Sequence, residues 1–209
     1  MAGVSEEIDD RDAPPAPQAL RQGWTVAPAA PNEPEAAAVL RDYLAELIVR
    51  YSGRATDDAE IDRHLRAGHD SDELVPPTGA LFLARRGGDV VGCVGLRRLG
   101  GEGGEGGEGE GGDGGGGGSA LELTRMFVRK EARGQGGASL LLAEAERAAR
   151  RLGAAVIRLN TRTDLVEARA LYAKHGYAEI PPYGDDPYAQ HWFEKRLDGA
   201  AGAAVGDRG

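Results

Sequence analysis

The stretch Leu121 to Gly153, LELTRMFVRKEARGQGGASLLLAEAERAARRLG, constrains this chain more than any other. Leu121–Val128 is an apolar, β-prone run of strand length. Arg129, Lys130 and Arg133 follow at once, then Gly134-Gln135-Gly136-Gly137. From Ala138 the apolar spacing becomes helical, with Leu141, Ala145, Ala148 and Leu152 on one face and Gly153 as the stop. A strand that feeds a helix through glycines makes a cradle for anions. The first helical turn carries unpaired N–H groups and partial positive charge, and glycines let a bulky anion come close. Nearby basic residues add to the field. The stretch is therefore expected to bind a phosphorylated small molecule.

Two common phosphate binders are excluded by residue type. There is no Gly-Lys-Ser/Thr, so a nucleotide-triphosphate loop is absent. A dinucleotide fingerprint needs glycine where Ser139 stands and an acid where Asn160 ends the next strand. What remains is Arg133-x-x-Gly136-x-Ala138 directly after Met126-Phe127-Val128. This resembles the acetyl-CoA motif of the GNAT superfamily of N-acetyltransferases, Gln/Arg-x-x-Gly-x-Gly/Ala. One strand further on (Ala155–Thr161), Glu167-Ala168-Arg169-Ala170-Leu171-Tyr172-Ala173-Lys174-His175-Gly176-Tyr177 resembles the family's late helix, E-A-x-x-L-Y-x-x-x-G-F/Y. The resemblance covers roughly Trp24 to Leu197, with its specific motifs between Leu121 and Tyr177. It implies an α/β (α+β) fold, a mixed and mostly antiparallel central sheet of about six to seven strands flanked by about four helices.

The same resemblance implies acetyl-CoA as acyl donor. Backbone groups of Met126, Phe127 and Val128 would hold the pantetheine and the thioester carbonyl, and the turn Arg133, Gly134, Gln135, Gly136, Gly137, Ala138, Ser139 the pyrophosphate. Tyr172 would protonate the departing thiolate. A phenol, with a reference pKa of about 10, keeps its proton at neutral pH; the rival reading is an aromatic packed on the sheet. Glu122 is the candidate base, acting through water. Alternation places it on one strand face with Thr124, Met126 and Val128, where a solvated carboxylate is an equal account. His175 and His191 also titrate near neutrality. Arg125, on the opposite face from Glu122, reads as structural or substrate-orienting. By analogy, Tyr51–Arg54 and the Pro181–Tyr188 loop would form the acceptor pocket. Tyrosines and Arg54 suit a carboxylate or an aromatic amine, whereas Asp185 and Asp186 suit a cation.

The resulting expectation is an acetyl-CoA-dependent N-acetyltransferase acting on a primary amine of a small molecule or protein. Attack is direct, because the sole cysteine, Cys93, lies in a different strand and reads as an inert core thiol. The alternatives are a non-catalytic acyl-CoA-binding regulatory module of the same fold, or a nucleotide-binding module using the same turn.

Around this centre the chain divides into a tail (1–22), a domain (23–197) with a Gly/Glu-rich insertion (100–119), and a second tail (198–209). The net charge is −9, but the tails and the insertion hold more than all of it, leaving the domain near +1. No nucleic-acid surface is therefore indicated. No apolar run reaches membrane length, the N-terminus lacks a basic and hydrophobic leader, and a cytoplasmic protein is expected. No metal ligand set is expected, and a homodimer is compatible with the reading. Within the domain, Asn32 and Pro34 start a helix whose apolar stripe is Leu40, Tyr43, Leu44, Leu47 and Tyr51. Asp57 with Glu60 caps a second helix, and Asp164 the one carrying Tyr172.

Overall fold

Alternating apolar runs separated by turn residues give seven strands, and the helical repeats between them give four helices. The computed structural model describes residues 23–66, 72–99 and 119–197. In chain order these are β1 (Trp24–Ala29), α1 (Pro34–Ser52), α2 (Asp58–Arg66), β2 (Gly79–Arg86), β3 (Asp89–Arg98), β4 (Ser119–Val128), α3 (Gly137–Arg151), β5 (Ala154–Thr161), α4 (Val166–Lys174), β6 (Ala178–Ile180) and β7 (His191–Arg196). They form one sheet in the order β1-β2-β3-β4-β5-β7-β6. Every pairing is antiparallel except β4 with β5. The expected order of strands and helices is the observed one. The two expected tails lie outside the described residues, as does the insertion apart from Ser119, which opens β4.

Each sheet face buries one main helix. Leu140, Leu141, Leu142, Ala145, Ala148 and Ala149 of α3 pack on Phe82, Val94, Leu96, Leu121, Leu123, Ile157 and Leu159. On the opposite face, Ala36, Val39 and Leu40 of α1 pack on Leu81, Leu83, Cys93 and Phe127. Ile61 seats α2 on Leu44 and Ile48 of α1, and Tyr172 of α4 joins the α3 side.

Helix starts differ in detail from expectation. The cap of α1 is Glu33, with Pro34 inside the first turn, and Glu33 Oε1 accepts the Ala30 N–H at 2.9 Å. The Asp57 cap is as expected, its Oδ1 accepting the Glu60 N–H at 2.8 Å. Asp164 does not cap α4: the cap position is Leu165, and Asp164 instead accepts from Arg162 Nε at 2.7 Å. A charged donor two residues away outcompetes a neutral amide. The expected stripe of α1 also divides. Leu40 faces the sheet with Ala36 and Val39, and Tyr43 meets Phe127 edge-on, whereas Leu44 turns with Ile48 toward Ile61 of α2 and Tyr51 is largely exposed.

The main correction concerns β4. Gly95 pairs with Thr124 but Cys93 with Phe127, so Val94 alone opposes two residues, Arg125 and Met126. Arg125 takes φ 52, a left-handed conformation that strands avoid. The extra residue reverses the alternation beyond it. Phe127 joins Cys93 and the α1 core, while Leu121, Leu123 and Val128 face α3 with Met126 packed against them. The single face expected for Glu122, Thr124, Met126 and Val128 does not exist. Arg125, expected opposite Glu122, lines the same cavity.

The insertion leaves the sheet where β3 and β4 are already paired: Arg98 opposes Leu121, and the Leu99 N–H donates to the Ala120 carbonyl at 3.3 Å. Its two anchors are thus fixed by the ladder, and loop-closure cost changes only slowly with length. Deleting Gly103–Gly117 is expected to move the melting temperature by less than about 3 °C, as read by calorimetry.

Candidate active site

The site begins where two strands separate. β5 pairs with β4 only from Ser119↔Ala154 to Glu122↔Arg158. Beyond that point β4 stays with β3 and β5 with β7, and a gap opens between them. Two cavities occupy it, of about 410 and about 720 Å³. Tyr43, Leu47, Met126, Leu165 and Ala168 belong to the walls of both.

The smaller cavity gathers most of the expected donor-binding residues. Met126, Phe127, Val128, Arg133, Gly134, Gly136, Gly137, Ala138 and Ser139 all line it; Gln135 does not. Gln135 Nε2 turns back to the Glu131 carbonyl at 3.0 Å. Gly136 holds the cap position of α3 with φ 90 and offers no side chain to the first-turn N–H groups. Gly137 has a different reason to be glycine, because a Cβ there would be driven into the indole of Trp24. Arg133 is a brace. Its Nε donates to the Val128 carbonyl at 2.8 Å, and Nη2 bonds both oxygens of Glu46 on α1 at 2.8 and 2.7 Å. Ser139 Oγ lies 2.9 Å from His175 Nε2, and burial holds that imidazole below its ordinary pKa. Several wall residues here carry no signal in the sequence, among them Glu46, Arg50 and Lys174.

The larger cavity holds both expected catalytic residues. Glu122 is buried, and its Oε2 receives Arg97 Nε and Nη2, both at 2.7 Å. Its Oε1 accepts the Tyr183 hydroxyl at 3.0 Å and Asn160 Nδ2 at 3.4 Å. Tyr172 is buried beside Tyr177 and Phe193, with ring centroids 5.8 and 6.0 Å away. Burial pushes its phenol pKa up, so it holds its proton more tightly than a solvated tyrosine. The segments expected around the acceptor also meet here: Tyr51, Ser52, Arg54, Asp186 and Tyr188 line the wall. Arg54 closes on Glu60 in a fork, at 2.9 and 2.6 Å, and holds that carboxyl down at about 2. Arg97, His64 and Arg162 are wall residues that no spacing signals, and Tyr43 joins them from the apolar stripe of α1. His175 and His191 line neither cavity. His191 Nδ1 instead lies 2.6 Å from Glu179, and its Nε2 3.1 Å from Thr163 Oγ1.

Cys93 lies in the α1-side core with its Sγ donating to the Arg125 carbonyl at 3.3 Å. Burial pushes the thiol up to about 12. At neutral pH it is a thiol that supports the bulge.

Comparison with known proteins adds the following. The sequence pattern of the Acetyltransferase (GNAT) family matches residues 40–177. An IAA acetyltransferase of Azospirillum brasilense is 34% identical over 151 residues, covering 66% of this chain and 86% of that protein. The crystal structure of a GNAT-family acetyltransferase from Staphylococcus aureus Mu50 superposes with a TM-score of 0.60 at 17% identity, covering 83% of this chain and 99% of that one. A GNAT-family acetyltransferase from Elizabethkingia anophelis, solved with acetyl-CoA bound, gives a TM-score of 0.51 at 16% identity, over 84% and 99% of the two chains.

The contact of Gly137 with Trp24 generates a prediction. Gly137→Ala is expected to destabilise the fold by about 1–3 kcal/mol through overpacking. In a double-mutant cycle with Trp24→Leu most of that cost should disappear, as measured by urea unfolding.

Proposed function

The chain belongs to the GNAT family of acetyltransferases, and on that premise we propose that it moves an acetyl group from acetyl-CoA to a primary amine by direct attack. The observation that carries this reading is the gap between β4 and β5. It places the end of β4 and the glycine turn on one cavity, Tyr172 and Glu122 on the next, and a shared wall between them.

The chemistry divides along the same line. In this reading the first-turn N–H groups of α3, from Gly136 to Ser139, receive the pyrophosphate, favoured by the dipole and by the absence of a side-chain cap. Lys174 adds a cation on the same wall. The end of β4 at Met126–Val128 has a side that β5 has left. The Val128 carbonyl there is taken by Arg133 and Phe127 pairs with Cys93 of β3, and in this reading the backbone left over on the open side meets the extended thioester arm. Tyr172 donates its proton to the sulfur as the thiolate leaves; an elevated pKa keeps that proton available up to high pH. Glu122, fixed by Arg97, Tyr183 and Asn160, attracts the acceptor ammonium and takes its proton through water. No acyl-enzyme on cysteine is involved, because the buried Cys93 thiol is neither ionised nor on a cavity wall.

A thermal-shift titration with acetyl-CoA, CoA, ATP and NAD in parallel tests the donor. A ligand at a hundredfold excess over Kd stabilises the native state by about 2.7 kcal/mol. Both CoA compounds should give this shift; a shift confined to ATP or NAD would overturn the reading. Gly136→Asp adds a side chain at φ 90 and a negative charge beside the pyrophosphate, and is expected to abolish the CoA shift in a folded protein. Tyr172→Phe should lower kcat by about a hundredfold while leaving CoA affinity within about twofold. Full activity in that variant would remove Tyr172 from the mechanism. Turnover of any amine separates this reading from a purely sensing module.

A further inference from the structure

On the wall of the larger cavity, Tyr51 and Asp164 hold one guanidinium, that of Arg162, in a fixed plane, with Tyr188 against Tyr51. Arg162, the first residue beyond β5, lies over the ring of Tyr51 at 5.3 Å from its centroid. Its Nε is held by Asp164 at 2.7 Å, and its side chain is only 19% exposed. Tyr51 is in turn met edge-on by Tyr188, with centroids 4.9 Å apart. Stacking and the carboxylate together set the orientation of the guanidinium. Its two Nη groups make no hydrogen bond among the described residues, and the residue lies on the cavity wall. A planar pair of N–H donors held in this way matches a carboxylate in both geometry and charge.

The register shows where this fork stands. Arg158 opposes Glu122 across the last β4–β5 pair, and Arg162 lies four residues further, about 13 Å along β5. That is the level of the Arg125–Met126 bulge, across the gap. The rest of the wall is balanced: Arg54, Arg97 and Arg125 stand against Glu60, Glu122 and Asp186, with Glu60 closed on Arg54 and Glu122 on Arg97, so Arg162 leaves the lining with one net positive charge. The one net positive charge, held on the fixed Arg162 fork, favours an anionic group on the acceptor over a second cation.

We propose that the acceptor is an amine that also carries a carboxylate, an amino acid or a compound built like one. Its carboxylate pairs with the Nη groups of Arg162, and its amine is presented toward β4. This rests on the acetyl-transfer reading above. The stack on Tyr51 and Tyr188 makes Arg162 a specificity-determining residue, since it binds the part of the acceptor that does not react.

The test is CoA release from acetyl-CoA with acceptors matched except for the carboxylate: L-phenylalanine against its amide, and β-alanine against 3-aminopropanamide, with spermidine as polycation. The amide has the more easily deprotonated amine, so intrinsic reactivity works against the proposal. In at least one pair the carboxylate compound should show kcat/KM higher by about tenfold or more, the scale of a charge-assisted hydrogen bond. Arg162→Gln should bring that ratio to about one, chiefly by raising KM for the carboxylate compound. Its acetyl-CoA thermal shift should be unchanged, because Arg162 lies outside the smaller cavity. Arg162→Lys keeps the charge without the fork and should fall between. Amides or spermidine accepted as well as the carboxylates would overturn the proposal, as would a preference that survives Arg162→Gln. A gain with succinyl-CoA over acetyl-CoA that Arg162→Gln removes would assign the carboxylate to the donor and overturn the acceptor assignment. No release with any amine would instead defeat the acetyl-transfer reading itself, and this proposal with it.

Discussion

Between Glu122 and Val128, β4 keeps β3 on one side and loses β5 on the other, and a strand in that position needs a reason not to close the sheet. The reason is local. One extra residue at Arg125, in a conformation that L-residues rarely adopt, turns the second half of β4 relative to its first. The parallel ladder stops at Glu122, and each half of the sheet then follows its own antiparallel partner. The bulge has its own support, since the Cys93 thiol donates to the Arg125 carbonyl from the packed face of β3. Both cavities, the orientation of Glu122 and the position of Arg162 follow from that one parting of strands.

The basic residues after β4 illustrate how charge is used here. Arg129 reaches Asp42 at 2.6 Å, and Arg133 reaches Glu46 at 2.7 Å, both on α1. Arg50 binds the same Glu46 at 3.1 Å and Glu167 of α4 at 2.6 Å. Partly exposed pairs of this kind contribute little stability one by one, typically under about 1 kcal/mol. Their effect is positional: α1, the glycine turn and α4 are linked across the smaller cavity through shared carboxylates. Residues whose spacing suggests anion binding are here largely occupied in holding the walls.

Much of this architecture was legible in the sequence, and the reason is period. Leu121–Val128 reads as a strand and Leu141–Leu152 as a helix face because each pattern is local, and the glycines between them admit few backbone paths. The residues that line the smaller cavity came from that one continuous stretch. The failures share the opposite property. A bulge leaves no mark in a run of apolar residues, so alternation carried Glu122, Met126 and Val128 onto a common face that the real register divides. Asp164 looked like a cap because sequence distance to the helix is visible and competition from Arg162 is not. Tyr51, the Arg162–Asp164 pair and Tyr188 lie far apart along the chain, and only the closed fold brings them together. Tyr172 is legible by motif and Tyr183 only as part of the Pro181–Tyr188 loop, whereas Arg97, which also holds Glu122, has no signal of its own.

The four β4–β5 pairs also have a mechanical meaning. On one side of that seam stand β1 to β4, and on the other β5, β7 and β6, each plate stiffened by long antiparallel ladders. The seam itself is short and lies at one end, as a hinge does on a pair of tongs. α3 grips both plates across the α3-side core, so the hinge end is clamped while the far edges depend on side-chain contacts from α1 and α4. The softest collective motion of such an object is a change of angle between the plates. That motion widens or narrows the cleft without breaking a single ladder within either one.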